Sequence, residues 1–150
     1  MRKRTYVKPV LSGEEFVPQV YCANCSTDDY HGISYKFECN AGGGISGKIY
    51  QETNGIAGLQ RTGSNADKNI TDGSINNYTS YSACDETHTV TIPASSGATL
   101  DTYFPKGYFY SSGGWFGEEQ TINVRIWTAG GTNIHATTNT ETSNWEIAKS

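Results

Sequence analysis

Three leucines and one methionine are all that this chain of 150 residues offers against 18 threonines, 17 glycines and ten tyrosines. Helical bundles are packed largely from the side chains it lacks. Threonine, tyrosine, valine and isoleucine instead suit a pleated, half-buried surface. Glycine at this density supplies tight turns. The composition therefore predicts an all-β fold of short strands.

The length suits one domain. The apolar fraction is 35%, which approaches the usual globular share once the glycines are added. Only 17% of residues are charged, so self-repulsion does not force disorder. The core must rest on Tyr, Phe, Trp, Ile and Val, whose rings and branches bury large areas. The net charge is −4, although Arg2, Lys3, Arg4 and Lys8 cluster at the start. The remainder is acidic and shows no basic stripe, which argues against a nucleic-acid partner. No apolar run is long enough for a transmembrane helix. The basic start resembles a signal-peptide opening, but Pro9, Gly13, Glu14 and Glu15 interrupt the place of the apolar region.

Residues 1–25 differ from the rest, with two of the four prolines and the basic cluster, and read as an extended arm or leader. Residues 26–150 read as the folded domain. The pattern Tyr6-Val-Lys8-Pro9, Glu14-Glu15-Phe16 and Tyr21-Cys22-Ala-Asn-Cys25 resembles the opening of uncharacterised small proteins from anaerobic gut bacteria. The closing Asn144-Trp145-Glu146-Ile-Ala-Lys149-Ser150 is similar to the ends of some of them. The resemblance covers about a quarter of the chain, implies no activity and transfers no functional residue.

Within the domain, Ile33, Tyr35, Phe37 and Cys39 alternate with polar residues, the clearest strand pattern in the chain. Gly42 to Gly44 break it, and Lys48 to Glu52 is the expected partner strand. Residues 61–77 read as a long polar loop. A short strand is expected over 78–84. His88, Val90 and Ile92 form a further strand, stopped by Pro93. Pro105-Lys106-Gly107 reads as a turn between aromatic patches. Ile122, Val124 and Ile126 form one face of a strand, and Gly130-Gly131 turn it into a hairpin with 134–138. Ser143 is placed to cap a final helical turn over 145–149, with Glu146 completing a capping box. Seven or so strands at this spacing predict a β-sandwich, with a barrel as second choice.

The cysteines carry the strongest chemical signal. Cys22 and Cys25 form C-x-x-C, while 44 residues separate Cys39 from Cys84. Four thiolates suffice for a tetrahedral zinc site, with His31 or His88 as substitutes, but a zinc ribbon would repeat the close pair. Two disulfides among the four, as in an exported domain, are favoured over the metal site, and free or buried thiols are the remaining reading. A thioredoxin-like site requires a βαβ context that is missing.

Other motifs fail on their surroundings. Gly42, Gly44, Gly47 and Lys48 imitate phosphate-binding loops, yet a strand-like segment follows where a helix is required. Asn65-x-Asp67-x-Asn69 resembles the start of a calcium loop, but Ile70 and Asn76 occupy its critical sixth and twelfth places. A looser calcium site on Asp67, Asn69 and Asp72 is the weaker form of that idea. Cys84 and His88 would lie about 13 Å apart on an extended strand, which predicts no contact between them. The adjacent acid pairs Glu14-Glu15, Asp28-Asp29 and Glu118-Glu119 point to opposite faces of a strand. No catalytic residue and no cofactor site is assigned.

Tyr108, Tyr110, Trp115 and Phe116 form a dense aromatic group suited to carbohydrate or protein contact, unless they build the core. The sequence thus favours a non-enzymatic surface, secreted or self-assembling module, with Thr5 to Tyr21 donating a strand to its own sheet or to another copy. A precursor with a leader over Met1 to Ala23, recognised by a processing or export partner, is the alternative. A small zinc-stabilised enzyme is the third reading.

Overall fold

A computed structural model describes residues 32–73, 79–113, 115, 117–129 and 133–148. The arm over 1–25 with Cys22 and Cys25, the strand-donor and leader roles assigned to it, His31, Phe116 and the Gly130-Gly131 turn lie outside the described residues.

The protein is all-β. Among the described residues seven strands run in the order β1 (Ile33–Glu38), β2 (Lys48–Gln51), β3 (Lys68–Asn69), β4 (Thr87–Ile92), β5 (Lys106–Ser111), β6 (Gln120–Ala129) and β7 (Asn133–Thr137). They form two antiparallel sheets, β1-β4 and β3-β2-β5-β6-β7, and neither closes into a barrel. A helix of one turn, α1 (Leu100–Tyr103), precedes β5.

Alternation decides the layers. In the large sheet Ile49, Phe109, Val124, Ile126 and Ala136 share one face and are buried in a single cluster. Tyr50, Tyr108, Arg125, Trp127 and His135 occupy the other face. The small sheet contributes Phe37, Val90 and Ile92 to a second cluster, completed by Phe104 and Trp145. Phe37 stacks on Phe104 at 5.5 Å and meets Trp127 of β6 at 5.9 Å. These rings join the sheets, and they supply the volume that the few leucines cannot. Arg125 is buried, but its guanidinium donates to Thr140 O and Phe104 O and pairs with Asp101 at 2.9 Å.

The strand patterns centred on Phe37, Val90 and Val124 are confirmed, while several connections differ from expectation. β1 pairs not with β2 but with β4, Phe37 opposite His88. The glycine loop after β1 is consequently a crossing between sheets rather than a hairpin. It is held by Phe109, whose ring lies 2.5 Å from the site of a Cβ on Gly42 and 2.6 Å from one on Gly47. A strand follows this loop, so no helix amides face a phosphate there.

Lys106 and Gly107 begin β5 and do not form a turn. The reversal is made earlier by α1, which the sequence pattern missed. Thr99 and Thr102 cap it reciprocally, each hydroxyl accepting the other's backbone N–H. The helical turn expected from Trp145 is not formed, and a 3-10 turn over Thr142–Asn144 precedes that position. From Trp145 the chain is extended, because Lys36 N–H donates to Glu146 O and Ala148 N–H to Ser34 O. Burial of the Trp145 ring and these two bonds outweigh the expected capping box.

The described part of the polar stretch, 61–73, is anchored inside by Asp67, whose carboxylate accepts from Thr53 N–H and Gln60 N–H. Asn69 Oδ1 accepts from Thr71 N–H and its hydroxyl. These bonds hold the loop that the calcium idea invoked. Among the described residues, no helix is long and apolar enough to cross a membrane.

Gly107 has the tightest constraint in the sheet, since a Cβ there would stand 2.3 Å from Tyr50 O and 2.4 Å from Ile126 Cδ1. Gly107→Ala is expected to cost about 3 kcal/mol through overpacking, read by chemical denaturation. Gly44→Ala, whose Cβ meets nothing within 4 Å, should stay within about 0.5 kcal/mol of the parent.

Candidate metal centre

Three stretches of chain meet where β1 leaves its sheet. Cys39 continues the β1–β4 pairing by one step: its N–H donates to Glu86 O and its carbonyl accepts from Asp85 N–H, both at 2.9 Å. The next two amides, of Asn40 and Ala41, both donate to Ala136 O at 3.1 Å. The Asn40 side chain accepts from Thr138 N–H at 2.9 Å. Cys39 is thereby fixed between the approach to β4 and β7, and His135 stands beside Ala136.

Asp85 places the second cysteine. Its φ of 58° is the single positive value among the described non-glycine residues, and residues 82–86 have no strand geometry. The left-handed residue folds Cys84 back toward the sheet. Cys84 Sγ then lies 3.3 Å from His88 Nε2 and 3.7 Å from His135 Nδ1. The separation expected for an extended 84–88 segment does not hold, because residues 84–86 lie outside the strand and Asp85 takes a positive φ.

The imidazoles are braced by an aromatic wall. Trp127 faces His135 directly across β6 and β7, and the two rings stack at 4.9 Å and 24°. The His88 ring touches both, with centroids 4.4 Å from His135 and 5.5 Å from Trp127.

Cys39 Sγ is almost fully buried, at 1% exposure of the residue. It accepts from Cys84 N–H at 3.3 Å and touches the Tyr81 hydroxyl at 3.6 Å. That hydroxyl also donates to Ala136 O. Burial alone would push the Cys39 thiol up, yet hydrogen bonds from His135, the Cys84 amide and Tyr81 together bring it down to about 6. Cys84 is pushed up, by burial and by its proximity to Cys39. Tyr81 is held above the ordinary phenol range by burial and by Cys39. His88 is lowered by burial and by His135, against the opposing pull of Glu86.

Donor atoms of Cys39, Cys84 and His135 all lie within 4.8 Å of one another. A second group, Cys84, Glu86 and His88, shares Cys84 with it. Zinc bonds of about 2.3 Å to sulfur and about 2.0 Å to nitrogen, at the tetrahedral angle, put sulfur and nitrogen roughly 3.5 Å apart. The two sulfur–nitrogen distances at Cys84 fall on either side of that value. Two thiolates and an imidazole are also the ligand types that zinc selects. The residues present therefore fit a thiophilic ion.

Of the sequence candidates, Cys39 and Cys84 are brought together as free thiols. Cys22 and Cys25 lie outside the described residues. His88 joins the centre, and His135, which no sequence motif marks, completes it. No spacing rule links 39, 84 and 135; only the sheet pairing does.

The aromatic group is dispersed. Tyr108 is buried and so presents no platform, and burial also raises its hydroxyl. Tyr110 lies under the Arg61 guanidinium at 4.2 Å. Trp115 is 96% exposed. Phe116 is outside the described residues.

Comparison with protein-family models, curated proteins and solved structures finds no match.

Asp85 supplies a test of that geometry. Asp85→Gly, free to adopt a positive φ, should retain zinc binding measured by competition with a chromophoric chelator. Asp85→Val, whose branched side chain disfavours that angle, should weaken it roughly five- to thirtyfold, since roughly 1–2 kcal/mol separates the conformations.

Proposed function

We propose that this chain is a binding and structural module whose two sheets are locked together by one zinc ion. Cys39, Cys84 and His135 are its ligands, and His88, against Cys84 Sγ, takes the fourth position by a small turn of its ring. The observation that carries the reading is the convergence of three donor atoms within 4.8 Å from segments far apart in sequence.

Each part of the surroundings supports it. Cys39 sits where a thiolate is favoured, because an amide, a hydroxyl and an imidazole all face its sulfur. Trp127 holds His135 in one plane, and such support of a ligand ring sharpens metal sites generally. The ligands come from the end of β1, the approach to β4 and β7, so bound metal ties the small sheet to the large one. Stability added by a ligand that binds only the folded state follows directly from mass action.

A catalytic zinc is the second reading, favoured by one observation. Among the described residues three donors rather than four converge fully, on an exposed Cys84. Water in the remaining position would then be the reactive group. His88→Ala separates the two. It lowers zinc affinity strongly if His88 is a ligand, and leaves it unchanged if water fills that place.

Protein purified without chelators is expected to carry one zinc per chain, and Cys39→Ala and His135→Ala to carry none. Replacement by cobalt should give the visible bands of a tetrahedral ion with thiolate charge transfer in the near ultraviolet. Removing the metal should lower the melting midpoint on the order of 10 °C, the shift for about 4 kcal/mol of binding linkage in a domain this size. A metal-free protein with an unshifted midpoint in added zinc would rule the proposal out.

A further inference from the structure

We infer that Cys39 and Cys84 are also a site of reversible oxidative cross-linking, and that forming the bond expels the metal. The second half rests on the zinc reading above; the first half stands without it.

Both sulfurs are unbridged and lie within 4.8 Å of one another. The backbone of Cys84 is already against its partner, with its N–H donating to Cys39 Sγ at 3.3 Å. The segments are joined on both sides of Cys39, through Asp85 N–H and Glu86 O. A disulfide needs sulfurs at about 2 Å and Cβ atoms at about 4 Å. Rotation about the Cα–Cβ bonds moves the sulfurs toward each other, and residues 82–86, outside any strand, shift to set the Cβ separation.

Access divides the roles. Cys84 is exposed, whereas Cys39 is sealed. A small-molecule disulfide such as oxidised glutathione therefore reaches Cys84 first. The Cys84 thiolate attacks one sulfur of the oxidant, its S–S bond breaks, and one glutathione thiolate leaves. The Cys39 thiolate then attacks Cys84 Sγ in the mixed disulfide and releases the second glutathione thiolate. Two protein thiolates have lost two electrons, and the oxidant has gained them. Neither sulfur of the new bond keeps the charge that held zinc, because the thiolate is the metal ligand. Of the four proposed ligands only His88 and His135 remain.

The test uses the full chain, purified under reductant, desalted and assayed for zinc before oxidised glutathione is added. Trypsin separates Cys39 on peptide 37–48 from Cys84 on peptide 69–106 and leaves Cys22 and Cys25 elsewhere. The expected result is a 37–48 to 69–106 link under non-reducing conditions, release of one zinc per chain to a chromophoric chelator, and reversal of both by dithiothreitol. Glutathione left on Cys84 with Cys39 still a thiol, or a link from Cys39 to any other cysteine, would overturn the cross-link. A formed link with zinc retained would overturn the expulsion. Protein that holds no zinc at the outset yet forms this link would sink the zinc reading and leave the cross-link standing.

Discussion

The pairing of Cys39 with its neighbours on two sides is the constraint from which the rest of the structure follows. Its amide and carbonyl extend the small sheet by one residue, and the very next amides commit the chain to β7 of the large sheet. A backbone group buried without a partner is costly. Both donors at Ala136 O and the amide–carbonyl pair at Cys39 must therefore be kept together. The crossing is consequently rigid at the place where the two hydrophobic clusters meet. Phe109 below the glycine loop and Phe37 beside Trp127 make the same junction in apolar contacts.

That junction explains why thiols and imidazoles gather there. Alternation in β7 sends Ala136 into the main core and His135 to the opposite face, where Trp127 lies across from it. Alternation in β4 sends Val90 and Ile92 inward and leaves His88 near the sheet's end. The left-handed Asp85 adds Cys84 to the group. A single misplaced register would scatter these side chains, since a shift of one residue reverses every face. The cluster is thus a product of sheet topology, and the Cys39 sulfur is placed by it among three hydrogen-bonding groups despite deep burial.

Much of the strand content was legible in the residues. Ile33 to Glu38, Thr87 to Ile92 and the Ile122-Val124-Ile126 face announce themselves by period-two alternation, which local backbone geometry alone dictates. Partners were not legible, because β1 meets a strand some fifty residues away that nothing in its own pattern identifies. The capped turn Leu100–Tyr103 was missed because two threonines are weak helix formers that nevertheless cap each other well. At the site, the sequence supplied Cys39 and Cys84 but ruled out contact between Cys84 and His88. That argument assumed an extended chain, and aspartate at position 85 carries no visible mark of a positive φ. His135 gave no signal, since an isolated histidine in a strand is ordinary.

The identity of the atoms around one ion decides whether Cys39, Cys84, His88 and His135 hold it. X-ray absorption at the zinc edge, on the full chain as purified, counts them directly. It should resolve two sulfurs near about 2.3 Å and two nitrogens near about 2.0 Å. A shell of four sulfurs would move the metal to a site that includes Cys22 and Cys25, and a shell without sulfur would contradict the centre altogether.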